Sequence, residues 1–173
     1  MARNVEIKAR IESIESVSSR VAALSDEGPV EIVQEDTFFH CQNGRLKLRT
    51  FSRDRGELIF YRRTDRQGPK ESFYLVSPTT SPDTLRESLS LAYGEVGRVR
   101  KNRKLFLAGR TRIHLDRVEG LGDFLELEVV LEDGESVENG EAVAKGIMEK
   151  LGIEQDQLIE SAYVDLMTSA TAE

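Results

Sequence analysis

The sequence predicts an α+β domain in which antiparallel strands form a closed or nearly closed barrel, with helices packed on the outside. About eight segments alternate polar and apolar residues with the period of two that is typical of a strand. Turn signals such as Asn43-Gly44 join most of these segments directly, as they do in hairpins. Helical spacing occurs in only a few places, for example at Ile14, Val17 and Val21. Together these observations predict hairpin-connected strands that close on themselves.

The first half of the chain contains five of the predicted strands. The first, NVEIKAR at residues 4–10, alternates Asn4, Glu6 and Lys8 with apolar residues. A helix follows this strand and is expected to stop at Gly28-Pro29. The next four strands are predicted at residues 30–40, 45–49, 57–62 and 71–76.

The second half begins with a helix, because Ser81-Pro82 supplies an N-cap and then a proline in the first turn. A last helix is predicted from residue 138 to Gly152. Between these two helices, strands are predicted at residues 96–107, 111–118 and 123–131. We expect one domain over residues 1–168 and a disordered tail over residues 169–173.

Composition limits the functional classes that the chain can serve. Its 173 residues fit one domain with a sizeable core, and its net charge of −7 disfavours nucleic acid as a partner. The single cysteine, Cys41, excludes an internal disulfide framework. We find no apolar run long enough to cross a membrane and no targeting segment. We therefore expect a cytoplasmic protein. We also expect it to be a monomer or a homodimer.

The polar faces of the predicted strands carry long charged side chains whose signs segregate from strand to strand. Arg45, Lys47 and Arg49 are all basic, whereas Glu126 and Glu128 are both acidic. Like charges two residues apart repel, so a face exposed to water usually mixes signs. Each face alone is compatible with simple solvation, but together they indicate a lumen lined by charge. The other sets in phase are Lys101 with Arg103, and Arg112 with His114 and Asp116.

A charged lumen requires partners, because a buried charge without one is costly. Arginine and lysine bind phosphate oxygens, and carboxylates are preferred ligands of Mg²⁺ and Mn²⁺. A polyanion and a divalent ion together would satisfy both halves of the lumen. This combination is the chemistry of metal-bound triphosphates.

Several stretches resemble the CYTH-domain family of the triphosphate tunnel metalloenzyme superfamily. That superfamily includes class IV adenylate cyclases, thiamine triphosphatases, inorganic triphosphatases and fungal RNA triphosphatases. The resemblance implies an eight-stranded antiparallel β tunnel with a polar lumen that holds a small-molecule triphosphate and Mg²⁺ or Mn²⁺. The matching stretches, which together span nearly the whole chain, are NVEIKAR (the family's Glu-x-Glu-x-Lys), DTFF at 36–39, LKLR at 46–49, RKNRKLF at 100–106, IHLDRVEGLGDFLELEV at 113–129 and AYVDL at 162–166.

The resemblance also implies roles for individual residues. It implies that Glu6, Glu126 and Glu128 are metal ligands, and that Asp116 lies near the metal. Either a second ion or Asp116 through a bound water would activate the nucleophile. Glu6, Glu128 and Asp116 are therefore the catalytic candidates. The phase of the strands adds Arg45 and Arg112 to the substrate-binding set. The substrate-binding positions implied by the resemblance itself are Lys8, Lys47, Arg49, Lys70, Lys101 and Arg103.

Two residues depart from the family pattern. Asn4 stands where the family's first glutamate belongs, which weakens one metal ligand. Tyr61 stands where a tunnel lysine is expected. Because adjacent residues face opposite sides of a sheet, we expect Arg62 or Arg63 to replace that lysine only if the strand register shifts.

Two other residues keep two interpretations each. His114 is in phase with the lumen and is either a general base or a structural histidine. Tyr163, near the end of the chain, either closes the mouth of the tunnel or packs as an ordinary aromatic residue.

Three functions fit this pattern. The leading one is hydrolysis of a triphosphate, which is tripolyphosphate, a nucleoside triphosphate such as ATP, or thiamine triphosphate. The second is the class IV adenylate cyclase reaction, in which the ribose hydroxyl of ATP attacks the α-phosphorus and pyrophosphate leaves. The third is a module that binds triphosphate or polyphosphate without turnover. The net charge and the lack of a basic flank disfavour an RNA triphosphatase.

Overall fold

The computed structural model describes residues 2–63 and 68–172, and eight antiparallel strands within them form a closed barrel. The order around the barrel is β1-β5-β4-β3-β2-β6-β7-β8, with hairpins linking β2 to β5 and β6 to β8. The predicted α+β barrel is therefore confirmed. The strands are β1 (Ala2–Arg10), β2 (Glu27–Phe39), β3 (Arg45–Ser52), β4 (Arg55–Arg63), β5 (Lys70–Thr79), β6 (Glu95–Ala108), β7 (Thr111–Val118) and β8 (Gly122–Val130).

The first helix, α1 (Ile14–Leu24), ends before the point that the sequence predicts. Gly28-Pro29 lies inside β2, where the register of β2 against β6 is irregular. Gly28 has a φ of 112°, and a Cβ at this position would lie 2.6 Å from the carbonyl oxygen of Leu105. This close approach of two backbones, rather than the end of a helix, requires the glycine.

Two helices cover one side of the barrel. Helix α1 and helix α3 (Val137–Leu151) begin at the N-caps Ser13 and Ser136, whose side chains accept backbone N–H bonds. They pack against β1, β7 and β8. Because these strands turn their apolar face outward to the helices, their alternate polar residues face the lumen. The core between the layers includes Ile7, Val21, Ile113, Leu115, Leu125, Leu127 and Leu151, each at most 2% exposed.

The remaining helices lie at the barrel's margins. Helix α2 (Pro82–Tyr93) contacts β2, β3 and β4, and a 3₁₀ turn (Gln155–Gln157) follows α3. Helix α4 (Tyr163–Ala172) includes residues 169–172, which the sequence predicts to be part of a disordered tail, and residue 173 lies outside the described residues. The limits of the domain stay a prediction. Among the described residues, no helix combines the length and apolar character needed to span a membrane.

Helix α4 closes one end of the barrel. Tyr163 is buried and its ring packs against Phe124, with 4.9 Å between the ring centroids. Val99 and Val118 belong to the same apolar cluster. Tyr163 also lines the central cavity, so both interpretations of this residue describe part of its role.

Candidate active site

Strand register brings the predicted acidic residues together on one side of the lumen. On β1 and β8, Glu6 lies opposite Glu128 and Lys8 lies opposite Glu126. On β7, His114 lies opposite Glu126. All five side chains line a central cavity of about 280 Å³. The in-phase polar residues of the sequence therefore meet in one space.

His114, Glu126 and Glu128 form a compact group, which we call the acidic trio. Their potential ligand atoms all lie within 4.8 Å of one another. His114 Nδ1 is 3.5 Å from a Glu126 oxygen and 3.9 Å from a Glu128 oxygen. It is buried and has no hydrogen-bond partner among the described residues. A nitrogen without a partner beside two carboxylates fits a divalent ion that accepts mixed nitrogen and oxygen ligands.

Both carboxylates of the acidic trio are held ionised. Burial alone would raise the pKa of Glu126, but the charge of Lys8, with His114 and Arg103 next to it, holds that pKa well below its usual value. Burial opposes ionisation of Glu128 in the same way, and His114 and Arg112 lower its pKa. Arg112 Nε donates to Glu128 at 2.9 Å. The pair is therefore negatively charged at neutral pH.

The opposite wall of the lumen, on β2, β3 and β6, collects cations around one carboxylate. We call Asp36 with Lys47, Arg49 and Lys101 the basic cluster. Arg49 donates to both Asp36 oxygens at 2.9 Å, while the ammonium groups of Lys47 and Lys101 lie 3.4 Å and 3.7 Å from Asp36 Oδ2. Gln34 lines the cavity beside them. The cluster has one negative group and three positive ones, so its excess charge is positive.

Burial changes the ionisation of this cluster. Desolvation would raise the pKa of Asp36, but the charges of Arg49, Lys47 and Lys101 hold it well below its usual value. Desolvation lowers the pKa of Lys47 to about 8 and that of Lys101 to about 7, despite the attraction of Asp36. The charge on this wall therefore changes within the physiological pH range. An anion bound here would draw both lysines back to the protonated form.

Sequence reasoning did not assign a role to Asp36. The residue lies in DTFF, the stretch quoted for the family resemblance. The signal that it belongs to the lumen is the period of two in β2, because Gln34, Asp36 and Phe38 all line the cavity. Its function as a shared counter-ion becomes visible only when β6 brings Lys101 next to it.

Asp116 is placed differently from the expectation that it activates a nucleophile. Its side chain is fully buried and is not part of the cavity lining. Arg103 Nε and Nη2 donate to its two oxygens at 2.7 Å and 2.8 Å, and the Tyr163 hydroxyl donates at 3.0 Å. A carboxylate with these three bonds holds Arg103 and Tyr163 in place, and activation of a nucleophile by Asp116 stays a prediction. Arg103 itself faces the cavity, with Nη2 3.5 Å from Glu126.

Glu6 lines the cavity but is not part of the acidic trio. Its Oε1 accepts a hydrogen bond from Arg63 Nη1 at 3.0 Å. Lys8 lies 3.5 Å from Glu126 and 3.9 Å from the centroid of the Tyr163 ring. The structure thus places the predicted third metal ligand in an ion pair, and His114 takes the place beside the two glutamates.

The other predicted cations differ in their access to the lumen. Lys70 is buried, lines the cavity and donates to the Glu160 carbonyl at 2.7 Å. Arg112 also lines it and reaches the Tyr74 hydroxyl at 3.3 Å. Arg45 does not line the cavity, because its guanidinium forms an ion pair of 2.6 Å with Asp165 on α4. Arg45 therefore links β3 to helix α4 instead of facing the lumen.

Arg63 is a lumen residue that sequence reasoning placed wrongly. We expected it to replace the missing lysine at position 61 only after a shift of register. Tyr61 and Arg63 are two residues apart and both line the cavity, with β4 in regular register against β5. Arg62, between them, is exposed and donates to the Asn43 carbonyl at 2.7 Å. No shift is needed, because a period of two puts residues 61 and 63 on the same face.

A closed antiparallel barrel with basic and acidic walls around one cavity makes this chain a tunnel-type domain. The CYTH domain family matches residues 2–163 of the chain. The chain therefore belongs to the CYTH domain family, and the resemblance inferred from the motifs is confirmed.

Individual relatives agree with this assignment. The chain is 25% identical to the adenylate cyclase CyaB of Aeromonas hydrophila over 168 residues, which cover 92% of this chain and 85% of that protein. The PH1012 protein of Pyrococcus horikoshii OT3 has the same fold, with a TM-score of 0.84, 22% identity and coverage of 94% and 98% of the two chains. HpAC1 of Hippeastrum, a protein with a dominant triphosphatase activity, has a TM-score of 0.68 and 16% identity, with coverage of 98% and 96%.

Proposed function

We propose that this CYTH enzyme hydrolyses a small-molecule triphosphate inside its tunnel. The observation that carries the proposal is the meeting of two ionised glutamates and a wall of lysines and arginines in one cavity. The cations suit phosphate oxygens and the glutamates suit a divalent ion. Phosphoryl transfer needs mainly positioning and neutralisation of charge, and this lumen is built to provide both.

The residues of the acidic trio fit a divalent ion. His114 Nδ1 and the oxygens of Glu126 and Glu128 would hold it. The carboxylates suit Mg²⁺ or Mn²⁺, and the imidazole nitrogen favours Mn²⁺ of the two. When bound, such an ion supplies neutralisation of the negative charge that develops on phosphate oxygens. Glu6 is a further candidate ligand, because its backbone lies opposite Glu128.

The chain's own cations perform the binding and positioning. Phosphate oxygens would bind to the basic wall, at Lys47, Arg49 and Lys101. An anion there raises the pKa of the two lysines and so favours their protonated form. Arg103 lies between this wall and Glu126, and Asp116 keeps its guanidinium in position. Helix α4 would exclude water at one end of the tunnel, which would strengthen these electrostatic contacts.

Two alternatives have specific support. The relative named adenylate cyclase favours cyclisation of ATP, which uses the same phosphate and metal contacts. The departures Asn4 and Tyr61 favour a module that binds triphosphate or polyphosphate without turnover. Asn4 Oδ1 is buried and has no hydrogen-bond partner among the described residues. The substitution Asn4→Glu separates an enzyme from a binding module, because a large gain in rate indicates a weakened catalytic site and a protein that stays inactive indicates pure binding.

Product analysis tests the proposal. The protein would be incubated with Mg²⁺ or Mn²⁺ and, separately, with tripolyphosphate, ATP and thiamine triphosphate, and the products followed by phosphorus NMR. We expect orthophosphate from at least one substrate. Pyrophosphate with cyclic AMP from ATP would replace the hydrolase by a cyclase. Shifted resonances without product under either metal would leave only binding.

A further inference from the structure

The arginines of the lumen differ in how they use the edge formed by Nε and Nη2. This edge presents two parallel N–H groups and matches a carboxylate or a phosphate. Arg49 places it on Asp36, and Arg103 places it on Asp116. Arg112 donates from Nε to Glu128. In these three residues the edge already has an acidic partner within the protein.

Arg63 leaves the same edge without a partner. Only Nη1 donates, to Glu6 at 3.0 Å. Both Nε and Nη2 are buried and have no hydrogen-bond partner within residues 2–63 and 68–172. The side chain is only 6% exposed and lines the central cavity. A buried guanidinium with three of its five N–H donors unmet is costly, so the arrangement favours an additional acceptor.

The described residues that lie across the strands from Arg63 are uncharged. On β5, Ser72 lies opposite Arg63, and on β1, Asn4 lies opposite Ser72. All three residues line the cavity. Tyr61, two residues before Arg63 on the same face, contributes no positive charge. The free edge therefore lies in the part of the lumen where the sequence lacks the expected lysine.

We propose that Arg63 binds a phosphate group of the substrate through Nε and Nη2 and supplies the cation that Tyr61 does not. Nε and Nη2 are both buried, so the guanidinium has to turn toward the lumen to reach an anion. Nη1 remains near Glu6 during this turn. This inference rests on the proposed function, since it assigns a further substrate-binding residue to the same tunnel. The ligand class is a polyphosphate with at least one oxygen pair that can reach β4.

Calorimetric titration with tripolyphosphate in the absence of metal tests this assignment. We expect Arg63→Ala to weaken binding by about 10–100-fold, the loss typical of two charged hydrogen bonds. Arg62→Ala is the matched control, because Arg62 is the adjacent arginine and is exposed. It should change the affinity by less than about twofold. Denaturant unfolding of both variants reports whether either one loses its fold.

A second variant keeps the test valid if Arg63→Ala is unstable. Tyr61→Lys combined with Arg63→Gln restores a cation on the same face of β4. We expect this double variant to recover most of the affinity for tripolyphosphate that removal of Arg63 costs. Equal affinities for Arg63→Ala, Arg62→Ala and wild type would overturn the assignment while leaving the proposed function intact. A wild-type protein that neither binds nor hydrolyses any triphosphate would overturn both.

Discussion

The two walls of the tunnel differ in the sign of the charged groups that they present to the lumen. In the basic cluster, three cations share one carboxylate, Asp36, so the wall keeps an excess of positive charge. In the acidic trio, Glu126 and Glu128 lie beside a histidine nitrogen that has no hydrogen bond among the described residues. The basic wall is therefore only partly neutralised by the protein, whereas the two glutamates already have Lys8, Arg103 and Arg112 beside them and the unpaired group of the trio is the histidine nitrogen. The difference indicates the ligand that each wall receives, an anion on one side and a metal cation on the other.

Removal of the acidic wall should have the largest effect. In the double variant Glu126→Gln and Glu128→Gln, both charged ligands become neutral amides of nearly the same shape. We expect metal-dependent turnover to fall by more than about 100-fold. Steady-state kinetics with Mn²⁺ measures this loss, and circular dichroism checks that the fold is retained. Unchanged turnover in the folded variant would show that the acidic trio does not hold the metal.

Removal of the counter-ion of the basic wall should mainly reduce stability. Asp36→Asn leaves Lys47, Arg49 and Lys101 buried without a negative partner, and we expect a loss of about 3–5 kcal/mol in the free energy of unfolding. Urea unfolding measures it. The control is Glu31→Gln, which neutralises an exposed carboxylate on the same strand. Tripolyphosphate should restore more stability to Asp36→Asn than to the control, and equal effects would contradict the role of Asp36.

The basic wall should also make binding depend on pH. Because burial lowers the pKa of Lys47 to about 8 and of Lys101 to about 7, both lose protons as the pH rises. An anion binds the protonated lysines, so affinity for tripolyphosphate should fall, by up to about tenfold per pH unit for each lysine, between about pH 7 and about pH 9.

A charge-retaining variant separates this effect from titration of tripolyphosphate itself. In Lys47→Arg with Lys101→Arg, both positions stay charged over the whole range. Calorimetric titration should therefore show a flatter pH dependence for this variant than for wild type. The same pH dependence in both proteins would mean that the two lysines do not contact the anion.

The smallest effect is expected at the closed end of the tunnel. Tyr163→Phe removes the hydroxyl that donates to Asp116 at 3.0 Å and leaves the bonds from Arg103. We expect a loss of about 1–3 kcal/mol in the free energy of unfolding, measured by urea titration, because the acceptor is charged and buried. Turnover per folded molecule should change little, since the hydroxyl contacts Arg103 only indirectly, through Asp116. A large loss of turnover without a loss of stability would instead place Tyr163 in the reaction.

Much of the barrel could be predicted because strand phase is a local property. The alternation around Glu6, Lys8, Glu126 and Glu128 was enough to direct all four side chains to one lumen, and the pairing of β1 with β8 agrees. The stop at Gly28-Pro29 failed for a different reason. A glycine needed for the close approach of two strands has the same local signature as a glycine that ends a helix.

The details of the site depend on contacts between distant strands, which phase alone does not report. Asp116 is in phase with the lumen, but the guanidinium of Arg103 and the Tyr163 hydroxyl occupy its oxygens. Asp36 is the shared counter-ion of the basic cluster because β6, which carries Lys101, lies next to β2. The sequence leaves His114 as either a base or a structural residue, and only the barrel shows its nitrogen beside both glutamates.

Electron paramagnetic resonance of Mn²⁺ bound to the protein tests the central claim most directly, because it reports both walls at once. We predict a nitrogen hyperfine coupling that disappears in His114→Gln, and a phosphorus coupling that appears when tripolyphosphate is added. The two couplings in one sample would show a metal held by the acidic trio with a phosphate chain next to it. Bound Mn²⁺ whose nitrogen coupling persists in His114→Gln, or which never couples to phosphorus, would contradict the account.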